Sequence, residues 1–137
     1  MRLWHKDLIP VLPKKQLLAQ WRECCCIARN ITVKGTPNHL LVNKILEYPY
    51  ADFAEYSKRI HDEMLRRGFR CDFSKYTKWL PKGYDCKVYG IFKDWHNDRY
   101  LHQCYYNLEE KYDCGGIPED EWSKIDKFMH NYMKQHL

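Results

Sequence analysis

No apolar run in this sequence extends beyond a few residues before Lys, Asp or Pro interrupts it, far short of the ~20 residues that span a bilayer. A membrane span is therefore not expected. The opening Met1-Arg2-Leu3-Trp4-His5-Lys6-Asp7 lacks the apolar stretch and small-residue cleavage site of a secretory leader, so the chain is expected to keep its first residue and to be cytoplasmic. No Cys-x-x-Cys spacing occurs, which removes the main support for a zinc-ribbon or thioredoxin reading. The seven cysteines are odd in number and three are consecutive, Cys24-Cys25-Cys26. That pattern suits reduced thiols used as small buried hydrophobes better than a secreted disulfide framework. Gly and Pro are scarce, six of each, and no linker, repeat or low-complexity tract divides the chain. The 137 residues are expected to form one domain, 1–137.

Charge is uneven. The net charge is +5, and the first fifty residues account for all of it, with eight cations (Arg2, Lys6, Lys14, Lys15, Arg22, Arg29, Lys34, Lys44) against three acids (Asp7, Glu23, Glu47). The remainder is balanced. An anion-binding face built from the first third would look like this, and so would a modestly basic solvated surface. Eleven Tyr and five Trp dominate the aromatics. Their polar-tipped rings suit either half-buried positions or stacking on bases, and composition does not separate the two.

Periodicity predicts helices. Pro13 is placed as the first residue of a helix running to about Thr32, with Leu17, Trp21, Cys24, Cys25, Ala28 and Ile31 on one core face. A short helix is predicted in Asn38–Glu47 after Thr36-Pro37. Another is predicted from Tyr50 to Arg67, with Phe53, Tyr56, Ile60 and Met64 inward and Gly68 as its stop. Between Phe69 and Asp98 the pattern is turn-rich, and loops with a short strand pair are expected. Helices resume over Arg99–Tyr112 and from Pro118 to about Lys134, the latter burying Trp122, Ile125, Phe128 or Met129, and Tyr132. The class is all-α, a single compact domain of four to five helices with irregular loops.

The outer face of the first helix carries Lys15, Ala19, Arg22, Glu23, Cys26, Arg29 and Asn30. One carboxylate, Glu23, thus stands among cations, with small neighbours one turn away on either side at Ala19 and Cys26. Glu23 reads either as an ordinary exposed helix carboxylate or as a functional acid with room for a ligand beside it.

The segment Gln16-Leu17-Leu18-Ala19-Gln20-Trp21-Arg22-Glu23 resembles the HLxAEYRE helix of the phage-type pyrimidine-dimer DNA glycosylases, the endonuclease V kind. The similarity continues through Asn38-His39 to Met64-Leu65-Arg66-Arg67-Gly68-Phe69, which resembles that family's LKRGF. It covers about the first 70 residues, and chains opening MRLWH with a TPNH segment look like a bacterial branch. The resemblance implies an all-α, endonuclease V-like base-excision enzyme acting on double-stranded damaged DNA, with abasic-site lyase activity, flipping a nucleotide from the stack. It implies Met1, through its α-amine, and Glu23 as the catalytic pair. Arg2, Arg22 and His39 match positions near DNA, and Lys15 and Arg29 join them from the helix face. An α-amine with an ordinary pKa near 7.8 is roughly 14% free base at pH 7, against about 0.04% for Lys, so it is a ready nucleophile. No cofactor and no metal are implied, and no obligatory protein partner; a monomer is expected. Two departures stand out. Phage members carry Thr after the initiator Met where this chain has Arg2, whose bulk should retain Met1, and Cys26 replaces a family Arg.

Two other readings remain open on sequence. A non-catalytic nucleic-acid binding module would need only the basic helix and aromatics. A metal-dependent HD-type phosphohydrolase would use His39, His61-Asp62 and a distant acid such as Asp126. His96, His102, Cys104 and Cys114 form a further metal set at irregular spacing.

Overall fold

The chain opens with an extended segment, Met1–His5, whose Leu3 and Trp4 are buried, followed by a 3-10 helix, Lys6–Val11. The computed structural model describes residues 1–79 and 90–136. Within them are five α-helices: α1 (Lys14–Lys34), α2 (Tyr50–Arg66), α3 (Ser74–Thr77), α4 (Asp98–Asp113) and α5 (Glu119–Gln135). No strand occurs among the described residues, so the strand pair expected between Phe69 and Asp98 is not found there; its turn at Pro81-Lys82-Gly83 lies outside them. The one-turn α3 takes up part of that stretch.

Punctuation of the helices follows local chemistry. α1 starts after Pro13 and stops at Gly35, whose φ of 76° is the left-handed conformation that an L side chain resists. Gly68 (φ 84°) ends α2 the same way, with Phe69 N bonding back to Met64 O at 2.9 Å. Asn97 caps α4 through its side chain, which accepts from Tyr100 N at 2.9 Å. Asn38–Glu47, predicted as one helix, is instead a hydrogen-bonded turn leading into a 3-10 helix, Asn43–Glu47.

α1 packs on α2, and α4 on α5, while α2 and α5 both pack on the first 3-10 helix. The N-terminal segment is therefore threaded through the core. The buried face of α1 is Leu17, Gln20, Trp21, Cys24, Ile27 and Ala28. The predicted stripe is corrected at two points: Gln20 and Ile27 are inside it, while Cys25 and Ile31 are only half-buried. Below it Tyr56, Phe92, Trp95 and His96 form an aromatic cluster with ring centroids 4.8–5.9 Å apart. The six described cysteines are all free thiols.

Candidate active site

Four backbone groups behind Met1 are held by side chains from three helices. Gln20 of α1 donates from Nε2 to Arg2 O (3.1 Å) and accepts at Oε1 from Trp4 N (2.8 Å). Tyr56 of α2 places its hydroxyl 2.7 Å from Trp4 O and 2.9 Å from Gln20 Oε1, sharing its one proton between the two acceptors. Tyr100 of α4 donates to Leu3 O (2.5 Å). A chain fixed this closely over residues 2–4 has little freedom left at residue 1. Met1 itself is half exposed and emerges into a cleft of about 630 Å³.

The cleft is walled by Met1, Arg2 and Trp4, by Lys15, Ala19, Arg22 and Glu23 of α1, by Leu41, and by Asn107 and Lys111 of α4. Glu23 is its one acid against four cations. Its carboxylate accepts from Gln20 Nε2 at 3.1 Å, so the amide that clamps the N-terminal segment also orients the acid. Burial raises the Glu23 carboxyl above its usual range, against the charges of the Met1 α-ammonium and Arg22, which lower it. A desolvated carboxylate that senses the α-ammonium is a competent proton acceptor and a stabiliser of positive charge beside that amine. Ala19, one turn before Glu23, leaves the space above it open.

The remaining sequence-selected residues fall in different places. Arg2 sits between the cleft and a neighbouring groove, its guanidinium 5.4 Å from the Trp4 ring centroid. Lys15 and Arg22 line the cleft from α1. Arg29 is exposed six residues beyond Glu23, about 9 Å along the helix, and is not part of the cleft wall. Cys26 is likewise exposed and outside the wall. His39 is half-buried and not part of the cleft wall; its carbonyl accepts from Val42 N (3.0 Å) and Asn43 N (2.8 Å) and shapes the turn that carries Leu41. Sequence reading missed Gln20, Trp4, Asn107 and Lys111. For Gln20 the signal was present: a polar residue at core spacing on an apolar stripe must find buried partners.

The metal alternatives are not assembled. His61 packs on Trp21 and Phe73 (centroids 5.3 and 4.5 Å), Asp62 pairs with Lys58, and Asp126 accepts from Tyr105. His96 is buried while Cys114 is exposed. Among the described residues no group of three or more His, Cys, Asp or Glu is placed to hold a metal ion.

The fold and cleft thus define a small all-α protein with an N-terminal amine and a desolvated carboxylate in a basic recess. The family model for pyrimidine dimer DNA glycosylases matches residues 1–77, and the chain belongs to that family. The matched span contains Met1, all of α1, the turn bearing Leu41, and α2; α4, which contributes Asn107 and Lys111, lies beyond it. No curated protein and no solved structure matches the chain. Family membership assigns DNA as substrate and glycosylase as activity class. No helix among the described residues is long and apolar enough to cross a membrane.

Proposed function

We propose that this protein excises pyrimidine dimers or related lesions from double-stranded DNA and cleaves the resulting abasic strand, using the Met1 α-amine as nucleophile and Glu23 as its acid–base and electrostatic partner. The observation that carries this reading is the Glu23 carboxyl: it is partly desolvated, it feels the α-ammonium, and it opens on the cleft into which Met1 projects. The free-base amine attacks C1′ of the damaged nucleoside. A C1′–N bond forms, the glycosidic bond breaks, and the base leaves with the electron pair and takes up a proton. Glu23 takes the amine proton and passes it to O4′ as the C1′–O4′ bond breaks, which opens the sugar ring, leaves an iminium at C1′ and returns Glu23 to its carboxylate form. Removal of a C2′ proton then expels the 3′ phosphate by β-elimination. Positive charge develops next to Glu23 as the base leaves and as the iminium forms, where the carboxylate stabilises it in a site already stripped of part of its water. Arg2, Lys15, Arg22 and Lys111 supply the phosphate contacts; Arg29 and His39 extend this set as DNA-binding residues outside the cleft wall. Binding is expected to weaken steeply with salt.

The test is strand cleavage of abasic duplex with borohydride trapping. Glu23→Gln keeps the shape and removes the charge, and it is expected to retain DNA binding while losing about two or more orders of magnitude in rate. Trapping should place the adduct on the N-terminal peptide, and a short extension ahead of Met1 should abolish it, since it removes the amine from its position beside Glu23. An adduct on a lysine, or full cleavage by the extended chain, would refute the amine mechanism. Binding without cleavage by the wild type would leave a non-catalytic nucleic-acid module.

A further inference from the structure

The turn between α1 and α2 carries two consecutive exposed leucines: Leu40 is 88% and Leu41 53% accessible. Solvated side chains of this size are a cost that a monomer normally avoids in adjacent positions. These are not on a loose loop. Asn38 takes a left-handed φ of 59° and its N–H donates to Thr36 Oγ1 at 3.1 Å. His39 N donates to Asn43 Oδ1 at 3.2 Å, and the His39 carbonyl closes the turn from Val42 N and Asn43 N. Pro37 and Val42 are buried on either side and anchor it. The result is a braced tip presenting apolar side chains outward.

Its position is equally specific. Leu41 belongs both to the cleft that holds Met1 and Glu23 and to an adjoining groove of about 970 Å³, and Leu40 stands over that groove. An apolar ridge therefore rises between a basic catalytic cleft and its neighbour. The four cations to one acid around the cleft favour a polyanion as the molecule that meets this ridge.

We propose that Leu40 is a wedge that enters the base stack of duplex DNA next to the extruded nucleotide, with Leu41 supporting it from the rim of the cleft. The proposal rests on reading the cleft as the glycosylase site. Extrusion of a nucleotide into the cleft leaves a gap in the stack directly outside it, and an apolar side chain at the rim fills that gap and holds the duplex bent.

The experiment compares cleavage of one abasic oligonucleotide as duplex and as single strand, because only the duplex has a stack to enter. For Leu40→Ala the duplex-to-single-strand rate ratio is expected to fall about tenfold, and Leu40→Phe, a larger wedge, is expected to restore it. An unchanged ratio for Leu40→Ala would overturn the wedge and leave the glycosylase reading intact. A wild type that cleaves neither substrate would overturn the underlying reading, and the wedge with it. An unchanged ratio with a shift from dimer to monomer on sedimentation would assign the leucines to contact with a second copy of the chain.

Discussion

Gln20 Oε1 accepts from Trp4 N and Tyr56 Oη, and its Nε2 donates to the Arg2 carbonyl and to Glu23, so one amide fixes the chain behind its α-amine and also holds the carboxylate that lines the same cleft. Replacing it with Leu keeps the volume but strands the buried Trp4 N–H and Arg2 C=O. At about 1–3 kcal/mol for each group left without a partner, Gln20→Leu should lose roughly 3 kcal/mol in urea denaturation and most abasic cleavage. Glu23 sets a second expectation. Burial holds its carboxyl above the usual carboxylate range, so the acid limb of kcat/KM should lie at higher pH than a solvated Glu would give. Arg22 lowers that carboxyl by its charge; Arg22→Ala should move the limb further up, less so in high salt, and a limb unmoved at low salt would separate the two residues. Glu23 was legible in the sequence as a lone acid among cations on the face opposite the apolar stripe. For Gln20 the sequence showed only a polar residue at core spacing; which groups it clamps was not readable, because Trp4 and Tyr56 stand 16 and 36 residues away.

The sequence motif ending α2 works through long-range bonds rather than through the cleft. Arg67 donates to Glu63 at 2.7 Å and reaches back to the carbonyls of Leu12 (2.8 Å), Pro10 (3.2 Å) and Ile9 (3.3 Å). It thereby docks α2 onto the first 3-10 helix. Glu63 is buried, which raises its carboxyl, but bonds and charges from Arg66 and Arg67 outweigh this and lower it overall. Arg67→Ala leaves Glu63 on Arg66 alone and frees three carbonyls, so a loss of about 2–3 kcal/mol is expected in thermal or urea unfolding. Arg67→Lys should recover only part, because an ammonium cannot span the same fork of acceptors. A fully stable Arg67→Ala would show that the 3-10 helix is held by burial of Leu8 and Ile9 alone. The bounds of α1, α2, α4 and α5 were readable to within about two residues because proline, glycine and asparagine mark them locally. The opening 3-10 helix was not, since its bonds run through a stretch interrupted by Pro10 and its burial comes from α2 and α5. Asn38–Glu47 has helix-like starting signals, yet the left-handed Asn38 and buried Val42 turn it into a tip.

Threading the N-terminus through the core puts a pair of histidines where the extended opening segment, the segment before α4 and α4 itself meet. His5 and His96 are both nearly inaccessible, and their rings stack at 5.1 Å. His96 Nδ1 accepts from Lys6 N at 2.9 Å and His5 Nδ1 from Asp7 N at 3.1 Å, bonds that each need an unprotonated nitrogen. The pairing was not legible in the sequence, because His96 lies 90 residues from the Lys6 N–H that it accepts. Burial lowers both rings from the ordinary value of 6.5, His96 to about 2, its neighbours His5 and Lys6 adding to the effect; for His5 the charge of Asp7 opposes the shift without cancelling it. The sign follows from proton counts. Below 6.5 the unfolded chain takes up protons on these two residues that the folded chain refuses, so their contribution to stability is complete above that pH and is lost as pH falls. The predicted loss is at most about 1.4 kcal/mol per pH unit for each histidine, with onset near pH 6.5. Glu63 adds to it only below about 4.5, where its own lowered carboxyl begins to matter. Urea denaturation at pH 7.5, 6.5, 5.5 and 5.0 covers the histidines' window above that of Glu63; the raised Glu23 carboxyl acts there in the opposite sense, and His96 variants separate the two. His96→Asn places its Oδ1 where Nδ1 accepts from Lys6 N but has no ring to titrate, so it should start less stable at pH 7.5 and flatten the decline between 6.5 and 5. A decline of equal slope in that variant would move the acid sensitivity away from this pair. Because the same segment carries Met1 into the cleft, abasic cleavage should fall over the same interval in proportion to the unfolded fraction.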